Sequence, residues 1–272
     1  MMDRSLPIIP FAGARTTSLH MLFVVFYLSV FVGGSLSAKK VTKSFYIEQR
    51  GNDIVLLKWI GNEKKIDFTS DSLLNKVTVI GSRAFENNQT LKEIILPHTL
   101  IKIDTMAFMQ CAELKNVQLS DGIEIVGYYA FCKCEALSSI SLPNSITYIS
   151  DWAFFACSDA QITALPTNLA YIGAHAFGAC YSLTISSIPQ GVHSVGRKSF
   201  ALCKSITELT FENGVERIEE FAFASCYNLS KVVIPNSVLY IGCRAFGSCR
   251  SLATVIFPEN SVCEIDDRAF ED

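Results

Sequence analysis

The sequence predicts an α/β solenoid, with a parallel sheet along one flank of the coil and short helical or 3-10 turns along the other. Two observations carry this expectation. Phe85, Phe108, Phe131, Phe154, Phe177, Phe200, Phe223 and Phe246 stand 23 residues apart, and Phe270 follows at 24. A small residue precedes every one of them: Ala84, Ala107, Ala130, Ala153, Ala176, Ser199, Ala222, Ala245 and Ala269. A period held that closely marks one supersecondary unit, repeated and stacked on itself.

The strand comes first within the unit. Between Cys134 and Phe154, Ile140 and Leu142 alternate with Ser139 and Ser141, the period of a strand with one buried face. Pro143 then ends the strand, because it has no N–H for a ladder. Pro97, Pro166, Pro189, Pro235 and Pro258 hold the same position in other units. Ile146 and Ile149 turn inward again. The next position is Gly81, Asp104, Gly127, Ser150, Gly173, Gly196, Glu219 or Gly242, and most of these residues can open a helix. A short helical or 3-10 turn is therefore expected to carry the Ala-Phe pair and drop the ring into the core. Eight intervals between paired strands give a sheet on the order of 40 Å long.

The ends differ from the repeat. Residues 1–38 carry Arg4 and Arg15, an apolar run from Met21 to Val32, and the small residues Ser35, Ser37 and Ala38. The run is shorter than the roughly 20 residues of a spanning helix. A secretory signal cleaved near Ala38 is expected, with an uncleaved anchor over residues 19–34 as the alternative. Residues 39–72 read as a β capping region. Phe45–Glu48 and Ile54–Ile60 flank Arg50-Gly-Asn-Asp53 as a hairpin, and a cap covers the sheet edge and core that a solenoid end exposes. The repeat occupies residues 73–272 in about nine coils, the last incomplete.

The consensus Leu-x-x-Ile-x-Leu-Pro-x-x-Val-x-x-Ile-x-x-x-x-Ala-Phe-x-x-Cys has clear copies at Leu91–Cys111, Leu137–Cys157 and Leu229–Cys249. It resembles the BspA-like class of leucine-rich repeats. The resemblance implies a horseshoe with the sheet on its concave face. It also implies a surface or secreted protein and, for some members, adhesion to host or matrix proteins. It assigns no ligand, because the shared residues build the core. Ala160, Thr163 and Ser186 depart from the pattern, with Ile162 and Ile185 one residue early, so a strand slip or bulge is expected there.

In such a repeat the outward strand residues line the concave surface. By register these are Glu93, Ile95, Asn116, Gln118, Ser139, Ser141, Ile162, Ala164, Ile185, Ser187, Glu208, Thr210, Lys231, Val233, Thr254 and Ile256. The row is nearly uncharged and suits a protein ligand, such as a host or matrix protein, better than a phosphate-rich one. The net charge of −3 favours neither nucleic acid nor an acidic membrane. No later segment is apolar enough to enter a membrane once the signal is removed.

Cys111, Cys134, Cys157, Cys180, Cys203, Cys226 and Cys249 keep the 23-residue period, whereas Cys132, Cys243 and Cys263 do not. Equivalent side chains on stacked coils point the same way, which favours a ladder of buried thiols over disulfides. A Cys243–Cys263 pair stays open. No cysteine pair has zinc-ligand spacing, and neither metal nor cofactor is expected. Two glycosylation sequons occur, at Asn88 and Asn228, and Asn228 is the better acceptor. His20, His98, His175 and His193 form no catalytic spacing, and no nucleophile elbow appears. The expected function is therefore a non-enzymatic, adhesin-like protein-binding module, secreted or at the cell surface. A structural scaffold, intracellular or membrane-anchored, is the alternative.

Overall fold

The computed structural model describes residues 28–29, 38–42 and 44–271. The leader expected over residues 1–38 lies outside the described residues, apart from Leu28, Ser29 and Ala38. Four antiparallel strands come first: β1 (Leu28–Ser29), β2 (Ala38–Val41), β3 (Phe45–Arg50) and β4 (Asp53–Trp59). The expected hairpin is formed by β3 and β4, with Arg50 opposite Asp53 and Gly51 at φ 61° in the turn. That left-handed conformation costs glycine nothing sterically.

β4 then pairs in parallel with Val79–Ile80, so the antiparallel strands form the first rungs of the main sheet. This 13-stranded sheet continues, all parallel, through two-residue strands at Lys102–Ile103, Ile125–Val126, Tyr148–Ile149, Tyr171–Ile172, Ser194–Val195, Arg217–Ile218, Tyr240–Ile241 and Glu264–Ile265. Ile80, Ile103, Val126, Ile149, Ile172, Val195, Ile218 and Ile241 point inward from it and are buried. It is the longest element of the fold.

The strands expected from the Ile-x-Leu alternation also form, but as two sheets of four. One holds Lys65–Asp67, Glu93–Ile95, Asn116–Gln118 and Ser139–Ile140; the other holds Ser187–Ile188, Glu208–Phe211, Lys231–Val233 and Thr254–Ile256. The continuous sheet expected on this flank is thus interrupted, and the cause lies at the two early isoleucines. Ile162 and Leu165 both point inward, as do Ile185 and Ile188. Inward residues three apart cannot both lie on one face of a pleated strand, whose period is two. Among the described residues no backbone hydrogen bond joins Ser138–Leu142 to the following coil at 161–165. The two slipped coils are joined to each other by the Thr184 N–H donating to the Ile162 carbonyl at 3.0 Å.

The expected helical turn is replaced by something flatter. Among the described residues the helical elements are 3-10 turns at Phe68–Ser70 and Leu74–Lys76, both before the first full coil. Around each phenylalanine, alternate N–H groups go to different partners. Those of Ala130, Cys132 and Cys134 close tight turns onto the Gly127, Tyr129 and Phe131 carbonyls. Those of Tyr129, Phe131 and Lys133 cross to the Asp151, Ala153 and Phe155 carbonyls of the next coil at 2.7–3.2 Å. A helix would spend all of these donors on itself. The arrangement places two non-glycine residues per coil in the left-handed region, such as Tyr129 at φ 55° and Lys133 at φ 60°. Each such residue is strained, and the bonds to the neighbouring coil hold it there.

Inside, the phenylalanine rings stack face to face. From Phe85 to Phe270 successive centroids are 4.8–5.5 Å apart and the planes lie within 7°. Trp59 and Phe45 extend the column into the N-terminal hairpin at 5.7 Å steps. The step nearly equals the roughly 4.8 Å between paired strands, so the turn flank and the sheet flanks advance together. Among the described residues the turn flank carries no helix of the kind that makes one side of a horseshoe wider than the other.

Beside the rings runs the thiol ladder. Cys111, Cys134, Cys157, Cys180, Cys203, Cys226 and Cys249 are buried, and each Sγ–H donates to the carbonyl of the phenylalanine one coil earlier at 3.0–3.2 Å. The ladder is one of thiols, with the cysteines held by hydrogen bonds to carbonyls and not by covalent cross-links. Burial pushes the Cys180 thiol up to about 12 and raises those of Cys134, Cys157, Cys203 and Cys226 well above their ordinary value.

Candidate functional site

The outward faces of the two short sheets carry most of the residues expected to bind a ligand. In the first sheet Glu93, Ile95, Asn116, Gln118, Ser139 and Ser141 come together as the lining of one groove of about 360 Å³, while Ile94 and Val117 between them point into the core. The strands pair Glu93 with Asn116, Ile95 with Gln118, and Asn116 with Ser139, which fixes the side chains in rows. The sole carboxylate of the lining is occupied: Lys65 Nζ donates to Glu93 Oε1 at 2.8 Å. That hydrogen bond and the charge of Glu93 raise the Lys65 pKa. What remains for a ligand is amide and hydroxyl groups, which both donate and accept.

In the second sheet Thr210, Glu208, Thr254 and Ile256 are exposed and Ser187, Lys231 and Val233 are half-buried. Glu208 lies 3.7 Å from Lys231 across the ladder. Ala164 is exposed in the gap between the sheets. Ile162 and Ile185 do not belong to the face: they are 2% and 1% exposed. The slip turned both inward to fill the core places that Thr163 and Ser186 leave polar. They are structural residues.

Of the two sequons, Asn228 is exposed. Asn88 is half-buried, and its Oδ1 accepts from the Thr90 N–H, the Thr90 hydroxyl and the Leu91 N–H at 2.9–3.0 Å. Its side chain thus closes the turn that the buried thiol occupies in later coils. Cys243 and Cys263 are half-buried, and Cys132 is buried beside the ladder. Among the described residues no group of three or more His, Cys, Asp or Glu side chains is placed to hold a metal ion. No described helix is long and apolar enough to cross a membrane.

One surface feature escaped the sequence reading. On the outer side of the long sheet and its adjoining turn, Tyr148 stacks on Tyr171 at 4.3 Å, and Tyr129, Trp152 and His175 stack in sequence at 5.6 and 3.8 Å. His175 is therefore part of an aromatic row, not an isolated turn residue. Its signal was present: aromatic residues stand 23 apart in successive units.

The region matching the BspA type leucine-rich-repeat model spans residues 63–184 and 155–272. The chain belongs to the BspA type leucine-rich-repeat family. The fold is also that of solved leucine-rich repeat structures. A leucine-rich repeat protein from Bacteroides ovatus aligns over 83% of this chain with a TM-score of 0.66 and 22% identity. The alignment spans 66% of that protein, just under two thirds of its length. The Treponema pallidum leucine-rich repeat protein aligns over 78% of this chain and 90% of its own, with a TM-score of 0.54 and 21% identity. The sequence has no match among curated proteins.

Proposed function

We propose that this BspA type protein is a non-enzymatic binding module, secreted or held at the cell surface, whose short-sheet face takes an extended segment of a host or matrix protein. The observation that carries the reading is the groove over Glu93, Asn116, Gln118 and Ser139, with its row of neutral amides and hydroxyls. Such a lining matches peptide backbone, whose donors and acceptors need partners of both kinds. Export rests on the leader expected over residues 1–38, and the intact mass of the protein from its source tests it: retention of those residues removes the secreted reading. The binding reading is tested by passing the purified chain over immobilised extracellular-matrix proteins. Asn116→Arg and Gln118→Arg, at exposed positions, should leave the melting temperature unchanged and weaken binding by about tenfold or more. Equal binding by both variants would refute this site.

A further inference from the structure

The aromatic row on the long sheet ends in a second pocket, on a different sheet from the groove above. It has a volume of about 320 Å³, and its lining includes Lys102, Asp104, Ile125, Tyr128, Tyr148 and Ser150. Its walls follow from the register. Ile125, Tyr148 and Tyr171 occupy equivalent places on adjacent strands. Tyr171 covers one face of the Tyr148 ring at 4.3 Å and an interplanar angle of 8°. On the opposite side the neighbour is the smaller Ile125, so the stack stops and the other ring face borders open space. Tyr128 stands beside it, held edge-on against Tyr129 at 84°. Facing these rings is the Lys102–Asp104 ion pair at 3.2 Å. The Asp104 carboxylate is further anchored by the Thr105 N–H at 2.8 Å.

We infer that this pocket binds a pyranose ring of a neutral glycan. The lining carries one positive and one negative side chain, already paired, so it offers no net attraction to an anion or a cation. It offers a fixed donor, a fixed acceptor and the Tyr128, Tyr148 and Ser150 hydroxyls around an aromatic face. A neutral sugar has the complementary shape: one face of C–H bonds to lie on a tyrosine ring, and a rim of hydroxyls that both donate and accept. Tyr148 and Tyr171 are each 40% exposed yet held by their mutual stacking, so little side-chain freedom is lost on binding. The volume sits at the small end of ligand pockets, enough for a single ring. A proline-rich peptide would need slots between rings, and the rings here are in contact.

Saturation-transfer NMR on the full chain with methyl glycosides of glucose, galactose, mannose and N-acetylglucosamine tests the assignment. At least one should show transfer to its ring C–H protons. Its affinity should fall about tenfold or more in Tyr148→Ala and fall also in Asp104→Asn, with unchanged melting curves. Tyr240→Ala, in the same sheet but covered by Arg217, should bind as the parent does. Ile125→Trp, which fills the pocket from beneath, should abolish transfer without removing any polar group. Absence of transfer from all four glycosides would overturn the proposal. So would transfer that survives both Tyr148→Ala and Ile125→Trp, or binding of a proline-rich peptide with no glycoside bound.

Discussion

The Sγ–H of Cys157 donates to the carbonyl oxygen of Phe131 at 3.0 Å, and the same carbonyl accepts the Cys134 N–H at 3.0 Å. The thiol thus takes up the second lone pair of a buried acceptor that the turn alone leaves half satisfied. Replacing Cys157 with alanine removes that donor and opens a small void, at an expected cost of about 1–3 kcal/mol in urea unfolding.

The thiols also give the fold an alkaline limit. Burial raises the pKa of Cys134, Cys157, Cys203 and Cys226 in the folded chain, and that of Cys180 to about 12, whereas the unfolded thiols ionise near their ordinary value. The associated stability is complete below about pH 8.5 and is lost as pH rises toward the folded value. Each thiol contributes at most about 1.4 kcal/mol per pH unit in that window. Stability measured from pH 8 to 10 should fall steeply, and less steeply in Cys157→Ala. Maleimide at pH 8 should label Cys243 and Cys263 in the native protein and every cysteine in urea. Native labelling of Cys157 at the rate of a free thiol would contradict the ladder.

Phe154 lies mid-column, fully buried, with rings on both faces at 5.2 and 5.3 Å. Among the described residues Phe270 stacks on Phe246 alone and is 37% exposed. Phe154→Ala should cost about 3–5 kcal/mol, and Phe270→Ala clearly less. Equal losses would mean that the column is not a stack of equivalent plugs.

Ser199 occupies the small-residue position before Phe200, where the other coils have alanine. It is fully buried, and its hydroxyl has no hydrogen-bond partner. Desolvating a hydroxyl without a partner costs about 1–3 kcal/mol. Ser199→Ala should therefore raise the urea midpoint, with a gain of about 1 kcal/mol, and a drop in the midpoint would show that the hydroxyl has a structural task.

His175 stacks on Trp152 at 3.8 Å. Burial, and then the charges of Lys198 and Arg197, lower its pKa below the ordinary 6.5. The unfolded chain therefore takes up this proton at a higher pH than the folded chain does. The contribution is complete above 6.5 and declines as pH falls toward the folded value. Denaturant unfolding at successive pH values from 7.5 to 5 should show that decline, and His175→Gln should flatten it.

Much of this architecture was legible. The 23-residue return of phenylalanine fixed the solenoid and its core, and the alternation at Ile140 and Leu142 fixed the strands of the short sheets. The hairpin at Arg50–Asp53 and the slip at Ile162 were legible too. The long sheet was not, because its strands are two residues long and follow an inward pair three apart, Ile146 and Ile149, which carries no strand period. The turn was misread for a related reason. Glycine or serine before Ala-Phe resembles a helix start, and the left-handed positions hold residues such as Trp152 and Lys133 where glycine would have given them away. Register placed Asn116 and Gln118 on the outward face, where they stand, but Ile162 and Ile185 there as well, although both point inward, since the slip moves an apolar side chain from outside to inside without changing the composition.

Tyr148 pairs with Tyr171 and Arg217 with Tyr240, always 23 residues on, until Tyr240 meets Glu264 at 24. A gene encoding such a chain can therefore be edited in one kind of step. Loss or duplication of 23 codons keeps the register of the long sheet, whereas a change of any other size must be absorbed in a bend of the coil. Reach becomes a heritable quantity that grows in increments of one ring thickness, while the groove and the tyrosine pocket, drawn from the same three coils, stay at a fixed distance from each other.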